Sequence, residues 1–241
     1  MLRYVTTNPG KVREAEEYLD EGAVAQLDYD YTEVQSDELG DIAARGAREA
    51  HRYSDEPTLV DDAGLFIRAL DGFPGPYSSY VEETVGVERT WRLASEEADR
   101  TASFRCVLAY CDGEGFDASP DPVDSDDRVA AAAAGEDGAD RTGAPGEDGA
   151  NRTGTPGEDG ADRTGAPGPD ADDDTEALPV KLFEGRVRGT LVEPRGEGGF
   201  GFDPVFEHNG TTFAEMEPAE KNAISHRGRA LAKFAEWYAE R

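Results

Sequence analysis

The sequence predicts an α/β fold, and two features of the chain lead to this prediction. Strand-like segments alternate with helical patterns, and acidic residues follow an apolar strand where open α/β sheets place their ligands. A helical pattern at 41–52 precedes the apolar strand Thr58-Leu59-Val60, and another at 85–98 precedes an apolar strand at 102–110. This alternation is typical of helices packed on a sheet.

The amino-terminal segment contains a predicted strand at 2–7 and a predicted helix at 11–19, separated by the break Asn8-Pro9-Gly10. A second extended region follows at 23–34 and contains Glu33 near its end. The chain therefore begins with an extended segment, a helix and a second extended segment.

In the carboxyl-terminal part, residues 181–192 are predicted to form two strand segments around Gly185 and Gly189. The last element is a helix at 225–238, for which Ser225 is a suitable N-cap. One face of this helix carries apolar residues at helical spacing: Ala230, Leu231, Phe234 and Tyr238. We expect this face to belong to the core.

Residues 112–179 differ from the rest of the chain and are predicted to be a disordered, acidic insert in a single domain that spans 1–241. Within the insert, 135–167 holds three near-copies of an 11-residue unit rich in glycine, aspartate and proline. Such a segment buries too little apolar surface to offset the entropy lost on ordering. An alternative interpretation is a partner-binding or calcium-binding tract.

The formal net charge of −29 argues against nucleic acid and anionic membranes as partners. An acidic body that is poor in lysine is typical of proteins from salt-accumulating archaea, although an acidic protein from an ordinary cytoplasm is the alternative. No apolar run is long enough to cross a bilayer, and the first residues lack the layout of a signal peptide. We therefore expect a cytoplasmic protein.

The two cysteines, Cys106 and Cys111, lie five positions apart in one predicted strand. Residues at this spacing point to opposite faces of a sheet, which argues against a disulfide. Without further cysteines or a histidine pattern, a zinc site is also not expected.

The segment Thr6-Thr7-Asn8-Pro9-Gly10-Lys11 leads from a strand end into a helix. Backbone amides at a helix start, hydroxyl groups and a lysine suit a bound phosphate chain. The segment lacks the glycine spacing of a Walker motif, and an ordinary turn is the alternative.

Asp61 and Asp62 are expected at the carboxyl end of the strand that begins at Thr58. With Glu33, they form a set of carboxylates suited to a divalent cation and to activating a water. The alternative is that one of the two aspartates caps the following turn.

A third group of candidate residues lies near the carboxyl terminus. Clustered donors there suit phosphate oxygens or the carbonyl oxygens of an oxopurine base, and the nearby aromatic rings suit stacking on it. The residues are Lys221, His226, Arg227, Phe200, Phe202 and Asp203. The alternatives are core packing for the phenylalanines and a simple turn for Asp203.

Taken together, these stretches resemble the inosine triphosphate pyrophosphatases, also described as XTP/dITP diphosphatases. The chain looks like a member of this family from a haloarchaeon. The stretches that carry the resemblance occur in the order of the family and cover nearly everything outside the insert: 6–11, 59–65, 72–78, 199–206, 214–216 and 220–227. One departure is Ala63, where many relatives have serine.

The resemblance implies a central twisted mixed β-sheet that forms two lobes, flanked by helices, with a nucleotide cleft between the lobes. It also implies a homodimer that requires Mg²⁺. The implied reaction converts non-canonical purine triphosphates (ITP, dITP and XTP) to the monophosphate and pyrophosphate, which cleanses the nucleotide pool.

The resemblance also assigns roles to individual residues. Those implied for the triphosphate and its hydrolysis are Thr6, Asn8 and Lys11 for binding the phosphates, Glu33 and Asp62 for Mg²⁺, Asp62 for activating water, and Asp61 for support. Those implied for the base pocket are Phe200, Phe202, Asp203, Lys221, His226 and Arg227, with Ser78 flanking the cleft.

Three alternatives to this function stay open at the level of sequence. A related pyrophosphatase would act on a pyrimidine triphosphate, and a non-catalytic nucleotide-binding protein would not turn it over. In the third alternative, the acidic repeats are the functional part and act as an interaction tail.

Overall fold

The computed structural model describes residues 1–19, 22–115 and 178–241. In these residues, eight strands form one sheet. In chain order they are β1 (Leu2–Val5), β2 (Val24–Leu27), β3 (Thr58–Ile67), β4 (Pro74–Gly75), β5 (Thr101–Cys111), β6 (Lys181–Leu191), β7 (Phe206–His208) and β8 (Thr211–Thr212). The helices are α1 (Pro9–Glu16), α2 (Leu39–Ser54), α3 (Ser78–Thr84), α4 (Val87–Ser95), α5 (Pro218–Ile224) and α6 (His226–Ala239).

The sheet is mixed, and its strand order is β2-β1-β3-β5-β6-β7-β8, with β4 paired to β3. Strand β1 is parallel to β2 and β3, whereas the other pairings are antiparallel. The predicted α/β fold with a central mixed sheet is confirmed. Its division into two lobes stays a prediction.

Helices cover both faces of the sheet. Helices α1 and α6 pack on one apolar cluster, and α2 packs on a cluster on the opposite face. Cys106 belongs to the first cluster and Cys111 to the second, and both thiols are free, as the sequence predicts. The predicted core face of α6 is also confirmed, because Ala230, Leu231 and Phe234 are fully buried.

Strand β3 is longer than the sequence suggests, and this corrects one prediction. Asp61 and Asp62 do not end the strand, because β3 continues to Ile67 and pairs with β5 along its whole length. The neighbour on the other side, β1, ends at Val5 opposite Val60. The two aspartates therefore lie in the middle of β3 but just beyond the end of β1, where the sheet has an open notch.

Strand β6 corrects a second prediction, because the two segments expected around Gly185 and Gly189 form one continuous strand. A Cβ atom at Gly185 would collide with the carbonyl oxygen of His226 in α6. This glycine therefore permits close packing of a helix on the strand and does not interrupt it.

The helix ends follow local capping. Asn8 caps α1 by accepting a hydrogen bond from the Gly10 amide, and Pro9 occupies the first turn, so the helix begins earlier than the predicted 11–19. It also ends earlier, at Glu16. The predicted cap Ser225 is confirmed, since its Oγ accepts from the Gly228 amide at 2.9 Å. The helix predicted at 85–98 corresponds to α4, which is shorter and spans Val87–Ser95. A separate helix, α3, precedes it.

Most of the predicted insert lies outside the described residues, including the repeats at 135–167, so its disorder stays a prediction. Its two ends are close together, because Tyr110 and Lys181 are paired in the β5–β6 ladder. Each end is held by an arginine: Arg241 pairs with Asp112, and Arg48 donates to the carbonyl oxygen of Leu178. In the part of the chain that the structure describes, no helix is long and apolar enough to cross a membrane.

Candidate active site

A cavity of about 490 Å³ opens at the notch beyond the end of β1. It is lined by the loops after β1 and β2, the middle of β3, the start of α3, the loop before β7 and the start of α6. The predicted site residues that line it are Thr6, Asn8, Lys11, Glu33, Asp61, Asp62, Ser78, Phe200, Phe202, Asp203, His226 and Arg227. Lys221 is the one predicted site residue outside this lining, and it contacts the cavity wall through Asp203.

The amino-terminal corner of the cavity joins a helix start to a lysine. The side-chain oxygen of Asn8 accepts from the Gly10 amide, and Thr6 Oγ1 accepts from the Asn8 amide at 3.0 Å. Lys11 lies in the first turn of α1, and its side chain is one-quarter exposed. The positive end of α1 and the ammonium group thus face the same space, which suits a negatively charged ligand.

Asp61 is the centre of a buried charge network. Its carboxylate accepts from Lys11 Nζ at 2.9 and 3.1 Å, from Arg227 Nε at 3.2 Å and from the Tyr4 hydroxyl at 3.0 Å. Burial opposes its ionisation, but the charges of Lys11 and Arg227 hold its pKa far below the ordinary value. Asp61 is therefore an ionised group already surrounded by donors, and the supporting role implied for it stays a prediction.

Asp62 has the opposite properties. Its Oδ1 accepts from the amide of Ala63 at 3.0 Å, whereas its Oδ2 is buried and has no hydrogen-bond partner among the described residues. Burial, followed by the negative charge of Asp61, raises the pKa of Asp62 to about 7. A carboxyl group with this pKa and an unpaired oxygen is suited to accept a proton from a water or to bind a cation.

Glu33 lines the same cavity, and its charge also raises the pKa of Asp62. Within residues 1–19, 22–115 and 178–241, no group of three or more acidic, histidine or cysteine residues is arranged to hold a metal. Mg²⁺ is commonly held by one or two carboxylates together with waters and substrate phosphates. The unpaired Oδ2 of Asp62 and the carboxylate of Glu33 fit that donor set.

The far end of the cavity offers an exposed aromatic ring. Phe200 is 57% exposed, and the ammonium group of Lys221 lies 4.1 Å from its ring centroid. Phe202 is 2% exposed and belongs to an apolar cluster, so core packing accounts for most of its ring. Of the two phenylalanines, Phe200 is therefore the one available for stacking.

Asp203 fixes the loop that carries this ring. Its Oδ2 accepts from Lys221 Nζ and from the backbone amide of Phe200 at 2.8 Å. Because Asp203 and Lys221 are both buried, the pair holds the loop against α5. Asp203 also begins a short 3-10 turn, so the turn predicted as an alternative is present as well.

His226 lies at the start of α6 and is stacked on Phe104, with 4.9 Å between ring centroids. Its Nδ1 atom is buried and has no hydrogen-bond partner among the described residues. Burial, together with the positive charges of Arg227 and Lys221, lowers its pKa well below the ordinary value. The ring is thus neutral near pH 7, with one nitrogen to donate and one to accept.

Ser78 lines the cavity, but its hydroxyl group is engaged with the backbone. It donates to the carbonyl oxygen of Gly75 at 2.7 Å and accepts from the amide of Leu65 at 2.8 Å. These bonds attach the start of α3 to β3 and shape the wall. A direct contact of Ser78 with a ligand stays a prediction.

Sequence reasoning missed several residues of this region. Tyr4 bonds to Asp61 from beneath, and Glu14 contacts Arg227 at 3.4 Å between Oε2 and Nη1. Tyr31 lines the cavity, with its ring against Gly46 of α2. A tyrosine in an apolar strand gives no local signal of its partner, because that partner is distant in sequence.

Comparison with known proteins gives the family. The model of the Ham1 family matches residues 2–123 and 172–237, and the unmatched residues 124–171 lie within the predicted insert. The chain is 37% identical to a protein of Thermococcus kodakarensis named dITP/XTP pyrophosphatase, over 99% of this chain and 97% of the relative. It is also 37% identical to a protein of Methanopyrus kandleri with the same name, over 98% and 94% of the two chains.

A solved structure of a HAM1 protein from Coxiella burnetii is similar throughout, with a TM-score of 0.66, 25% identity and full coverage of both chains. The resemblance predicted from sequence motifs is thereby confirmed at the level of the family, whereas a haloarchaeal origin stays a prediction. The chain belongs to the Ham1 family.

Proposed function

We propose that the chain is a nucleoside-triphosphate pyrophosphatase that hydrolyses ITP, dITP and XTP to the monophosphate and pyrophosphate. One observation carries the proposal: a single cavity joins a lysine at a helix start, a carboxylate with an unpaired oxygen and an exposed aromatic ring beside basic groups. The names of its relatives, dITP/XTP pyrophosphatases, support the same reaction.

The phosphate groups would lie at the amino-terminal corner. Lys11 donates there to phosphate oxygens, and the positive end of α1 adds to the attraction. Asp62 accepts the proton of the water that attacks the α-phosphorus, as its raised pKa permits. The bond from this phosphorus to the bridging oxygen then breaks, and pyrophosphate leaves.

Asp62 and Glu33 are the residues that would hold Mg²⁺. When bound, the ion would neutralise negative charge that builds on the phosphate oxygens. The structural reason for this assignment is the buried Oδ2 of Asp62, which has no hydrogen-bond partner in the part of the chain that the structure describes.

The base would stack on Phe200, with Lys221, His226 and Arg227 nearby. Donors aimed at a 6-oxo group are satisfied by hypoxanthine or xanthine, whereas the amino group of adenine leaves one of them unpaired. An unpaired buried donor discriminates by roughly 10⁴-fold in favourable cases. This is the physical basis for the preference over ATP.

Three further properties belong to the proposal. The charge of −29 supports a role in a salt-rich cytoplasm and argues against nucleic acid as a partner. Exposed aromatic side chains at Phe73, Tyr77 and Tyr80 lie close together in sequence around the start of α3, which supports a homodimer. Light scattering of the purified chain at molar KCl would give twice the mass of 25.9 kDa if this is right.

The direct test is release of pyrophosphate from ITP, XTP, GTP, ATP and dTTP, with Mg²⁺ and molar KCl. We expect fast turnover of ITP and XTP and slow turnover of ATP and dTTP. Guanine carries the same 6-oxo group, so turnover of GTP measures whether the pocket also rejects a 2-amino group. Equal turnover of all five would support the proposed hydrolysis but contradict the proposed selection of the base. Absence of turnover at high and low salt would favour a non-catalytic nucleotide-binding protein.

A further inference from the structure

Tyr4 lies at the base of the proposed phosphate corner but outside the cavity lining. It is the third residue of β1, it is fully buried, and its hydroxyl donates to Asp61 Oδ1 at 3.0 Å. Burial and the charge of Asp61 raise the pKa of Tyr4, so the phenol stays protonated and remains a donor. Its partner, Asp61, is the carboxylate that also receives Lys11 and Arg227.

The three donors around Asp61 differ in what else they can reach. The side chain of Arg227 is 8% exposed and also contacts Glu14, whereas that of Lys11 is 25% exposed and faces the cavity. Under the proposed function, Lys11 has two acceptors that compete for its ammonium group: the carboxylate of Asp61 and the phosphate chain of the substrate.

The strength with which Asp61 retains Lys11 depends on how well the other donors satisfy it. A hydrogen bond from a neutral hydroxyl to a carboxylate is a strong one, because the acceptor is charged. Tyr4 supplies such a bond without adding a positive charge that would itself attract phosphate. Loss of the hydroxyl would leave Asp61 with fewer donors, so Asp61 would hold Lys11 more tightly.

We propose that Tyr4 is a positioning residue that satisfies one oxygen of Asp61 and thereby frees Lys11 to bind the phosphate chain. The inference deepens the proposed function and rests on it for the identity of the ligand. It predicts that the hydroxyl of a residue that touches no substrate sets the affinity for phosphates.

The test compares two variants that each remove one buried hydroxyl group. Tyr4→Phe removes the donor to Asp61. Tyr110→Phe is the matched control, because Tyr110 is 2% exposed, packs in the same apolar cluster and donates to Asp112 at 3.2 Å. Since Tyr110 does not line the cavity, its variant should retain wild-type kinetics.

Binding of inorganic pyrophosphate is measured by titration calorimetry, and ITP hydrolysis and its inhibition by inosine are measured on the same proteins. For Tyr4→Phe we expect the Kd of pyrophosphate and the KM for ITP to rise about fivefold to tenfold, a partial loss of one charge-assisted hydrogen bond. The kcat and the inhibition by inosine, which has no phosphate, should stay within about twofold of wild type.

An unchanged Kd for pyrophosphate in Tyr4→Phe would overturn the inference, as would an equal weakening of pyrophosphate and inosine, which indicates general damage to the cavity. The wild-type protein separates this outcome from failure of the proposed function. Suppose that the wild-type protein binds pyrophosphate, that Tyr4→Phe weakens this binding, and that neither protein hydrolyses ITP. The positioning role then stands and the pyrophosphatase proposal falls. If the wild-type protein hydrolyses ITP but binds no pyrophosphate, the positioning inference falls and the proposed function stands.

Discussion

The two faces of β3 give adjacent aspartates opposite properties. Asp61 points to the face covered by α1 and α6, where Lys11, Arg227 and Tyr4 surround it and hold its pKa low. Asp62 has one oxygen without a partner among the described residues, and its pKa is raised to about 7. Alternation along a strand thus separates two chemically identical side chains into an ionised group with three donors and a carboxyl group with a raised pKa.

The comparison teaches that an acidic pair in a sequence need not act as a pair. Each carboxylate takes its properties from the elements packed on its own side of the sheet. Burial opposes the ionisation of Asp61, but cations supplied by two helices lower its pKa. The pKa of Asp62 is raised by burial and by the charges of Asp61 and Glu33. Substitutions that treat the two positions alike should therefore have unlike effects.

The largest effect is expected for Asp62→Asn, which removes the proton acceptor and keeps the size of the side chain. Turnover of ITP should fall by roughly 10³-fold, within the range that general-base catalysis contributes. Pyrophosphate release checks this, with circular dichroism to confirm the fold. Turnover close to wild type would contradict the role of Asp62.

Asp61→Asn should mainly affect stability, because it leaves the buried guanidinium group of Arg227 without its central carboxylate. Removing one member of a buried ion pair costs about 3 kcal/mol or more in the free energy of unfolding. Asp62→Asn is the matched variant, and it should leave this free energy unchanged or raise it, since it replaces a buried, poorly paired carboxyl group. Urea denaturation of both proteins would sharpen the comparison, and equal losses would refute it.

A second pair of like residues, Phe200 and Phe202, also has contrasting surroundings, because one ring is exposed in the cavity and the other is buried in the core. Phe200→Ala removes an exposed ring, so KM for ITP should rise about tenfold, in line with roughly 1–3 kcal/mol for stacking on a base. Phe202→Ala instead empties a core site and should cost about 3–5 kcal/mol of stability. If Phe200→Ala left KM unchanged, the base would have to bind elsewhere.

The smallest effect is expected on deleting residues 117–176. The flanking strands β5 and β6 are paired up to Tyr110 and Lys181, so a short connection can replace the segment without moving the cavity. The kcat/KM for ITP should remain within about twofold of wild type. A large loss of activity would give the acidic repeats a function in catalysis.

Much of the fold could be predicted from sequence because its signals are local. Periodicity marked α2, α6 and β5, and capping chemistry marked Ser225. The extension of β3 beyond Asp62 could not be predicted, because it depends on pairing with β5, which is distant in sequence. The continuity of β6 was missed for a similar reason, since Gly185 serves the close approach of α6 and local rules treat it as a break.

For the site, motifs brought together most residues but did not distinguish their surroundings. Phe200 and Phe202 have the same side chain, and only the fold places one ring in the open and the other in the core. Tyr4 carries no motif, and its contact with Asp61 joins strands that are distant in sequence. Properties that arise between elements are therefore the part that sequence patterns did not supply.

The ladder between β5 and β6 has a practical consequence. Tyr110 and Lys181 are paired directly opposite each other, so the connection between them joins two antiparallel strands as a hairpin loop does. Its length therefore has little effect on the packing of the core. Such a point accepts foreign sequence well. A fluorescent reporter whose own termini are adjacent could be grafted there, and lineages could lengthen or shorten the connection without rebuilding the enzyme around it.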